Sequence, residues 1–196
     1  MPYFPLFIDP AGRRCVVVGG GPVAVRKVKT LLDFGADVAV FDPSPSEAVR
    51  ELLPLIALTE RQYAGPEDLT GALLVIAATD NHALHQKLAE DAKTLGIPVN
   101  VADDPNLCTF FFPAVVRRGE LVAGLSTSGA CPRLAARLRA QLETLWSPAL
   151  GESLETLKAE RQKLRSGANS REEICQHLDR LITALTENTV CRKSES

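Results

Sequence analysis

The 196 residues of this 21.1 kDa chain are enough to bury a sizeable core and to hold one α/β domain of ordinary size with something smaller beside it. A net charge of −2 and a pI near 6.0 exclude a global attraction to nucleic acid or to an anionic membrane, so any cationic site has to be local. The apolar runs are strand-length and the N-terminus Met1-Pro2-Tyr3-Phe4-Pro5-Leu6-Phe7 lacks both a cationic n-region and a long h-region; a cytoplasmic location with no membrane span is expected.

The first strand is predicted over 15–18, Cys15-Val16-Val17-Val18, and runs straight into Gly19, Gly20 and Gly21. A helix over 23–34 follows, with Val28, Leu31 and Leu32 on its inner face and Gly35 at its end. Read as Gly19-x-Gly21-x-x-Ala24, this strand-turn-helix has the form of a dinucleotide fingerprint. Gly19 permits the turn, Gly21 lets a pyrophosphate approach the backbone, and Ala24 lets the helix pack closely on the strand. The first helical turn, which opens with Pro22 and Val23, then faces the phosphates with its exposed N–H groups, where the helix dipole favours negative charge.

The second strand, 38–41, ends at Asp42, about 20 residues beyond the glycines, where a carboxylate accepts hydrogen bonds from an adenosine ribose. NAD is favoured over NADP, whose 2′-phosphate Asp42 repels. Asp42 also starts a polar turn, Asp42-Pro43-Ser44-Pro45-Ser46, and the two readings hold together because the ribose site lies in that turn. A helix over 47–53 and a weaker third element over 55–58 and 62–63 come next. Residues 73–78 form a continuous apolar strand suited to a central position, stopped by Thr79-Asp80-Asn81, which caps a helix over 82–95 ended by Gly96. Residues 99–102 are the next strand. This alternation predicts a doubly wound parallel sheet, Rossmann-like in plan. Ligands of such sheets collect beyond the carboxyl ends of the strands, which groups Gly19, Gly21, Pro22 and Val23 with Asp42, Pro43, Ser44, Thr79 and Asp80 as the cofactor edge. The segment 100–105 ends at the same edge; its adjacent Asp103 and Asp104 read either as turn formers and caps or, beside a nicotinamide, as acid/base groups.

Beyond Pro113 the pattern changes. Strands over 114–116 and 121–125, separated by Arg117-Arg118-Gly119-Glu120, read as a hairpin. A stretch of small polar residues, Ser126-Thr127-Ser128-Gly129-Ala130-Cys131-Pro132, leads into a helix over 133–146 with Leu134, Leu138, Leu142 and Leu145 on one stripe. A two-stranded hairpin is not stable alone, so this region is expected to pack on the first domain or on a second subunit. After Ser147-Pro148, helices are predicted over 151–165 and 170–185, with a capping box at Ser170 and Glu173, and residues 187–196 are expected to fray. The expected division is 1–113 as a dinucleotide-binding α/β domain, 114–147 as a small α+β dimerisation region, and 148–196 as a C-terminal helical domain. Cys15, Cys108, Cys131, Cys175 and Cys191 form no C-x-x-C pair, which argues against both a disulfide framework and a thiolate zinc site. His82, His85 and His177 form no ligand set and are expected at the surface or at helix caps, so no metal site is assigned.

Pro5-Leu6-Phe7-Ile8-Asp9 with Gly12-Arg13, the run 16–27, Ala77-Ala78-Thr79-Asp80, the run 99–105, Leu107-Cys108-Thr109-Phe110, Phe112-Pro113-Ala114, Arg118-Gly119 and the run 126–135 occur in order. Together they resemble the NAD-dependent precorrin-2 dehydrogenases, also called siroheme synthase N-terminal domains, over 5–139. The resemblance implies that NAD takes a hydride from precorrin-2, a proton is lost, and sirohydrochlorin forms; some members then insert ferrous iron or cobalt. It places the family aspartate on Asp103 as the acid/base residue and leaves Asp104 a structural cap. It implies a homodimer and a tetrapyrrole substrate, beside the absence of a nucleic-acid or membrane partner already expected from charge and hydropathy. The substrate's eight carboxylates require a cationic rim, for which Arg117, Arg118 and Arg133, with Arg137 and Arg139, are the nearest candidates, and Ser126, Thr127 and Ser128 can donate hydrogen bonds. Cys131 departs from the usual serine and has no base partner in sequence, which argues against nucleophilic catalysis. The methyltransferase portion of fused siroheme synthases does not match, so only the later steps are expected. The alternative is a non-catalytic NAD-binding regulatory domain; it needs Gly19 to Ala24 and Asp42 but neither Asp103 nor the 126–132 loop.

Overall fold

The computed structural model describes residues 3–167 and 169–189. They form two compact units, one of Leu6–Phe112 and one that takes Pro113 onward together with the stretch up to Pro5. The expected middle region and helical region therefore share one unit.

The unit Leu6–Phe112 is built from β1 (Arg14–Val18), α1 (Pro22–Asp33), β2 (Asp37–Phe41), α2 (Glu47–Arg50), β3 (Ile56–Thr59), β4 (Leu74–Ala77), α3 (His82–Thr94) and β5 (Val99–Val101). All five strands are parallel in the order β3-β2-β1-β4-β5. The strands read as unbroken apolar runs because both faces are covered. Cys15, Val17, Val38, Val40, Leu74 and Ile76 point to the side packed by Ala24, Val28 and Leu31 of α1. Val16, Val18, Phe41, Val75, Ala77, Val99 and Val101 point to the side packed by Leu88, Ala89 and Ala92 of α3. Each fully buried valine contributes about 1.5 kcal/mol or more, so the sheet alone accounts for much of the drive to fold. Burial and the nearby Asp37 push the Cys15 thiol up to about 11, so this cysteine is a protonated core side chain.

Three expectations for this unit needed revision. The helix over 47–53 ends as α2 at Arg50, because Leu53 precedes Pro54 and an α conformation there is disfavoured. Residues 62–63 extend no strand; Tyr63 is buried and its hydroxyl donates to Asp91 Oδ2 at 2.8 Å, anchoring α3. His85, expected at the surface or a cap, is only 3% exposed, since it shares the inner stripe of α3 with Leu88, Ala89 and Ala92.

In the other unit, β6 (Ala114–Arg118) pairs antiparallel with β7 (Leu121–Leu125), and the pairing of Arg118 with Leu121 leaves a two-residue turn. Gly119, with φ 61°, supplies the left-handed first position of that turn. Arg117 and Arg118 are therefore strand residues, not the hairpin tip that was expected. Then come α4 (Pro132–Leu145), α5 (Ala149–Ser166) and α6 (Arg171–Thr189). Gly151 lets α5 touch the hairpin, since a Cβ there would lie 2.8 Å from the Arg118 carbonyl oxygen. The expected capping box forms: Glu173 N–H donates to Ser170 Oγ at 3.2 Å, and Ser170 N–H donates to Glu173 Oε2 at 2.7 Å. Helix α6 continues through Thr189, three residues into the stretch expected to fray; 190–196 lie outside the described residues. Among the described residues no helix is long and apolar enough to cross a membrane.

Two stability predictions follow from local geometry. A Cβ on Gly19 would sit 2.1 Å from the Ala78 carbonyl oxygen, at a φ of 122°, so Gly19→Ala is expected to cost on the order of 2–4 kcal/mol in urea denaturation; an unchanged midpoint would refute the contact. Cys131 is the N-cap of α4 but makes no capping hydrogen bond, so Cys131→Ser should gain about 0.5–1 kcal/mol, read as a rise in Tm.

Candidate active site at the carboxyl edge of the parallel sheet

Because Val18 is in register with both Phe41 and Ala77, and Ala77 with Val101, the chain leaves the sheet at residues 19, 42, 78 and 102 on one edge. Gly19 donates its N–H to Phe41 O at 2.9 Å, which ties the glycine turn to the end of β2. Gly20 was given no role by its spacing, yet a Cβ there would lie 2.8 Å from Pro45 Cα and 3.0 Å from Asp42 Cγ. Its carbonyl accepts from the Ser46 hydroxyl at 2.6 Å and the Ser46 N–H at 3.1 Å. Gly21 is the N-cap of α1, with Pro22 at the first helical position and nothing within 4 Å of where its Cβ would be. Open space over an N-cap glycine, above amides with no intrahelical acceptor, is what a pyrophosphate requires. Ala24 is fully buried against the sheet.

Asp42 is half-buried and its Oδ1 accepts the Ser44 N–H at 2.7 Å. Turn formation uses that lone pair and leaves the other carboxylate oxygen for a ribose hydroxyl. Pro43 and Ser44 are exposed beside it. At the end of β4, Thr79 Oγ1 accepts the Asn81 N–H at 3.2 Å, and Asn81 Oδ1 caps α3 by accepting the Leu84 N–H at 3.1 Å; Asp80 is exposed. The Thr79 N–H donates to Nε2 of the buried His85 at 3.3 Å. The glycine turn, the open N-cap and the carboxylate at the end of β2 fit a dinucleotide.

The turn after β5 carries the two carboxylates. Asp103 is exposed and left-handed, with φ 62°. Asp104 is half-buried and accepts the Asn106 N–H on Oδ1 at 3.1 Å, capping the 3₁₀ turn Pro105–Leu107 as expected. The following segment folds back along β5: Thr109 N–H donates to Val99 O at 2.8 Å and Val99 N–H to Thr109 Oγ1 at 2.8 Å. Asn100 donates to Phe110 O at 3.0 Å. Cys108 Sγ accepts the Val101 N–H at 3.1 Å and reaches Val101 O at 3.3 Å and Asp104 O at 3.4 Å. Burial and the Asp104 charge raise its pKa, so the thiol keeps the proton it donates. Cys108 thus pins both ends of the Asp103 turn, a role that sequence spacing did not reveal. Lys27 was also missed: its Nζ lies 3.7 Å from the centroid of the Phe112 ring, and burial, aided by Arg26, lowers its pKa to about 8. Among the described residues no group of three or more His, Cys, Asp or Glu side chains is placed to hold a metal.

In the other unit, the loop between β7 and α4 is held by its own hydroxyls. Ser126 Oγ accepts the Ser128 N–H at 3.1 Å, Thr127 Oγ1 accepts the Cys131 N–H at 3.2 Å, and Ser128 Oγ accepts the Tyr3 N–H at 3.4 Å. Each hydroxyl that accepts still has its own O–H to donate. Arg118 donates to Trp146 O, Glu143 O and Arg117 O at 2.9, 2.9 and 3.0 Å. It caps the carboxyl end of α4, where the sequence reading had it holding substrate. Arg117 donates to Gly119 O at 3.0 Å, and Arg133 is exposed on the first turn of α4.

The chain is 39% identical to a siroheme synthase of Nitrosomonas europaea over 168 residues, 84% of this chain and 35% of that protein. It is 45% identical to a siroheme synthase of Nitrosospira multiformis over 156 residues, 77% of this chain and 33% of the relative. The chain spans about a third of the length of the curated relatives it matches. A solved structure of SirC, a precorrin-2 dehydrogenase, superposes with a TM-score of 0.75 at 24% identity, covering 95% of this chain and 93% of that one, and shows the shared fold. Residues 6–114, the parallel-sheet unit with its glycine turn, match a family model described as "Putative NAD(P)-binding", and the chain belongs to that family.

Proposed function

We propose that this chain is an NAD-dependent precorrin-2 dehydrogenase that forms sirohydrochlorin. The observation that carries the reading is the meeting of a dinucleotide cradle and the Asp103 carboxylate at one edge of a single sheet. The siroheme synthases that match 74–84% of this chain supply the substrate class. When bound, NAD supplies the hydride acceptor. The proton lost with the hydride needs a base, and the exposed Asp103 is that base. Gly19, Gly21, Pro22 and Val23 seat the pyrophosphate; Asp42, with Pro43 and Ser44, takes the adenosine ribose and repels a 2′-phosphate; Thr79 and Asp80 line the edge. Ser126, Thr127 and Ser128 donate to substrate carboxylates, and Arg133, Arg117 and Arg118 are the candidate cations, Arg118 also donating to carbonyls at the end of α4.

A cytoplasmic homodimer is part of this reading. Leu134, Leu138 and Leu145 of α4 are 47, 39 and 40% exposed, an apolar stripe that a second copy would cover. The region 114–147 is then the dimerisation region. Sirohydrochlorin with ferrous iron or cobalt is the substrate pair of a later insertion step, in which Asp103 takes protons from the macrocycle.

Incubation with NAD and precorrin-2 should give the absorption spectrum of sirohydrochlorin, and NAD binding without that product would favour the regulatory-domain reading. Asp103→Asn keeps a residue that tolerates the left-handed turn, so NAD affinity should hold within about 2-fold while oxidation falls by about 10²–10⁴; wild-type turnover in that variant ends the assignment of Asp103. Asp42→Asn keeps the turn acceptor and removes the charge. Calorimetry should then show NAD binding weakened by about 10-fold and discrimination against NADP reduced.

A further inference from the structure

His85 is the one polar side chain at the cofactor edge that is both fully enclosed and half unsatisfied. It is 3% exposed, its Nε2 accepts the Thr79 N–H at 3.3 Å, and its Nδ1 is buried with no hydrogen-bond partner among the described residues. An imidazole nitrogen that accepts an amide N–H carries a lone pair, so the ring is neutral with its proton on Nδ1. A second proton would have to go on Nε2, where it would oppose the Thr79 N–H. Burial, and then His82 on the same helix, lower the pKa of His85 from the ordinary imidazole value. The charges of Asp104 and Asp103, on the turn after β5, oppose that shift. His85 is therefore held by a hydrogen bond to the turn after β4, and its protonation responds to the charge of the turn after β5.

We propose that neutral His85 is a positioning residue that fixes the 79–81 turn of the cofactor edge through the Thr79 amide, and that its protonation releases that turn and weakens NAD binding. The inference rests on the cofactor reading above. The sign follows from the tautomer: the acceptor is present when His85 is neutral, so affinity holds at neutral pH and falls as the solution is acidified through the lowered pKa. An uncharged Asp103 removes part of the opposing field and keeps His85 neutral to lower pH. The charge state of one turn thus biases the geometry of the other.

The test is made on the full chain in two measurements. Ring ¹⁵N shifts at neutral pH should place the His85 proton on Nδ1. NAD titrations carried from about pH 7.5 down to the lowest pH at which circular dichroism shows the chain folded should show the wild type losing about 3- to 10-fold in affinity on acidification, the worth of one hydrogen bond. His85→Gln, whose amide oxygen reaches the Nε2 position and accepts the same N–H without titrating, should bind as wild type at neutral pH and show a flat profile. His85→Leu should bind weakly at every pH, and His82→Asn, which removes a charge that lowers the His85 pKa, should keep the pH dependence and move it to higher pH. A proton on Nε2, or identical profiles for wild type and His85→Gln, would overturn the inference and leave the cofactor reading standing. Failure of the wild type to bind NAD at any pH would overturn the cofactor reading, and this inference with it.

Discussion

Gly19 passes the end of β4 so closely that no side chain fits between its Cα and the Ala78 carbonyl, and the arrangement of the ligand edge depends on that approach. Its amide is bound to Phe41 O while the neighbouring Val18 carbonyl accepts the Ala78 N–H at 2.8 Å. The three central strands thus end against one another's backbone. Gly20 then packs on Asp42 and Pro45, and Ser46 closes the gap by donating twice to its carbonyl. Two bare Cα atoms hold Asp42 and Thr79 in place beside the glycine turn, and the third glycine leaves its space open. The division of labour in Gly19-Gly20-Gly21 is therefore two contacts and one vacancy.

A second constraint shapes the other end of the sheet. β5 is an edge strand, and an uncovered edge presents unpaired N–H and C=O groups. The segment Cys108, Thr109 and Phe110 covers it with backbone, hydroxyl and thiol hydrogen bonds. To return along β5, the chain has to reverse within the residues between Ala102 and Leu107. That reversal puts Asp103 in the left-handed region with its carboxylate outside the fold, while Asp104 faces inward as a cap. Protection of an edge strand and presentation of an acid are one piece of geometry.

The sheet was legible in the sequence because its strands are apolar on both faces and its helices begin and end at Gly, Asn and Pro; β1, β2, β4 and β5 each lie within one residue of their expected bounds. The glycine turn, Asp42 as strand end and Asp104 as cap were legible for the same local reasons. What was hidden depended on tertiary partners. Arg118 looked like a hairpin cation until α4 came to rest with its last carbonyls over the guanidinium. Cys108 was read only as a cysteine without a C-x-x-C partner, because nothing local says that its thiol spans from Val101 to Asp104. His85 did carry a signal, the helical spacing to Leu88 and Ala92, which places it on the buried stripe of α3. The histidines had been weighed only against metal binding, which left them at the surface or at helix caps.

Among the described residues, left-handed backbone occurs at two positions other than glycine, Asp103 and Ser128. Both had been singled out on chemical grounds, one as a base and one as a hydroxyl donor. Asp pays little for this conformation, because a short polar side chain tolerates it, whereas Ser pays more and is held there by the Ser126 hydroxyl and the hydrogen bond from Tyr3. Glycine would relieve the conformation at either site and would delete the carboxylate or the hydroxyl. A polar side chain kept where the backbone favours none is the pattern of a residue placed for its side chain, and in each unit separately it supports the chemical roles proposed for Asp103 and Ser128.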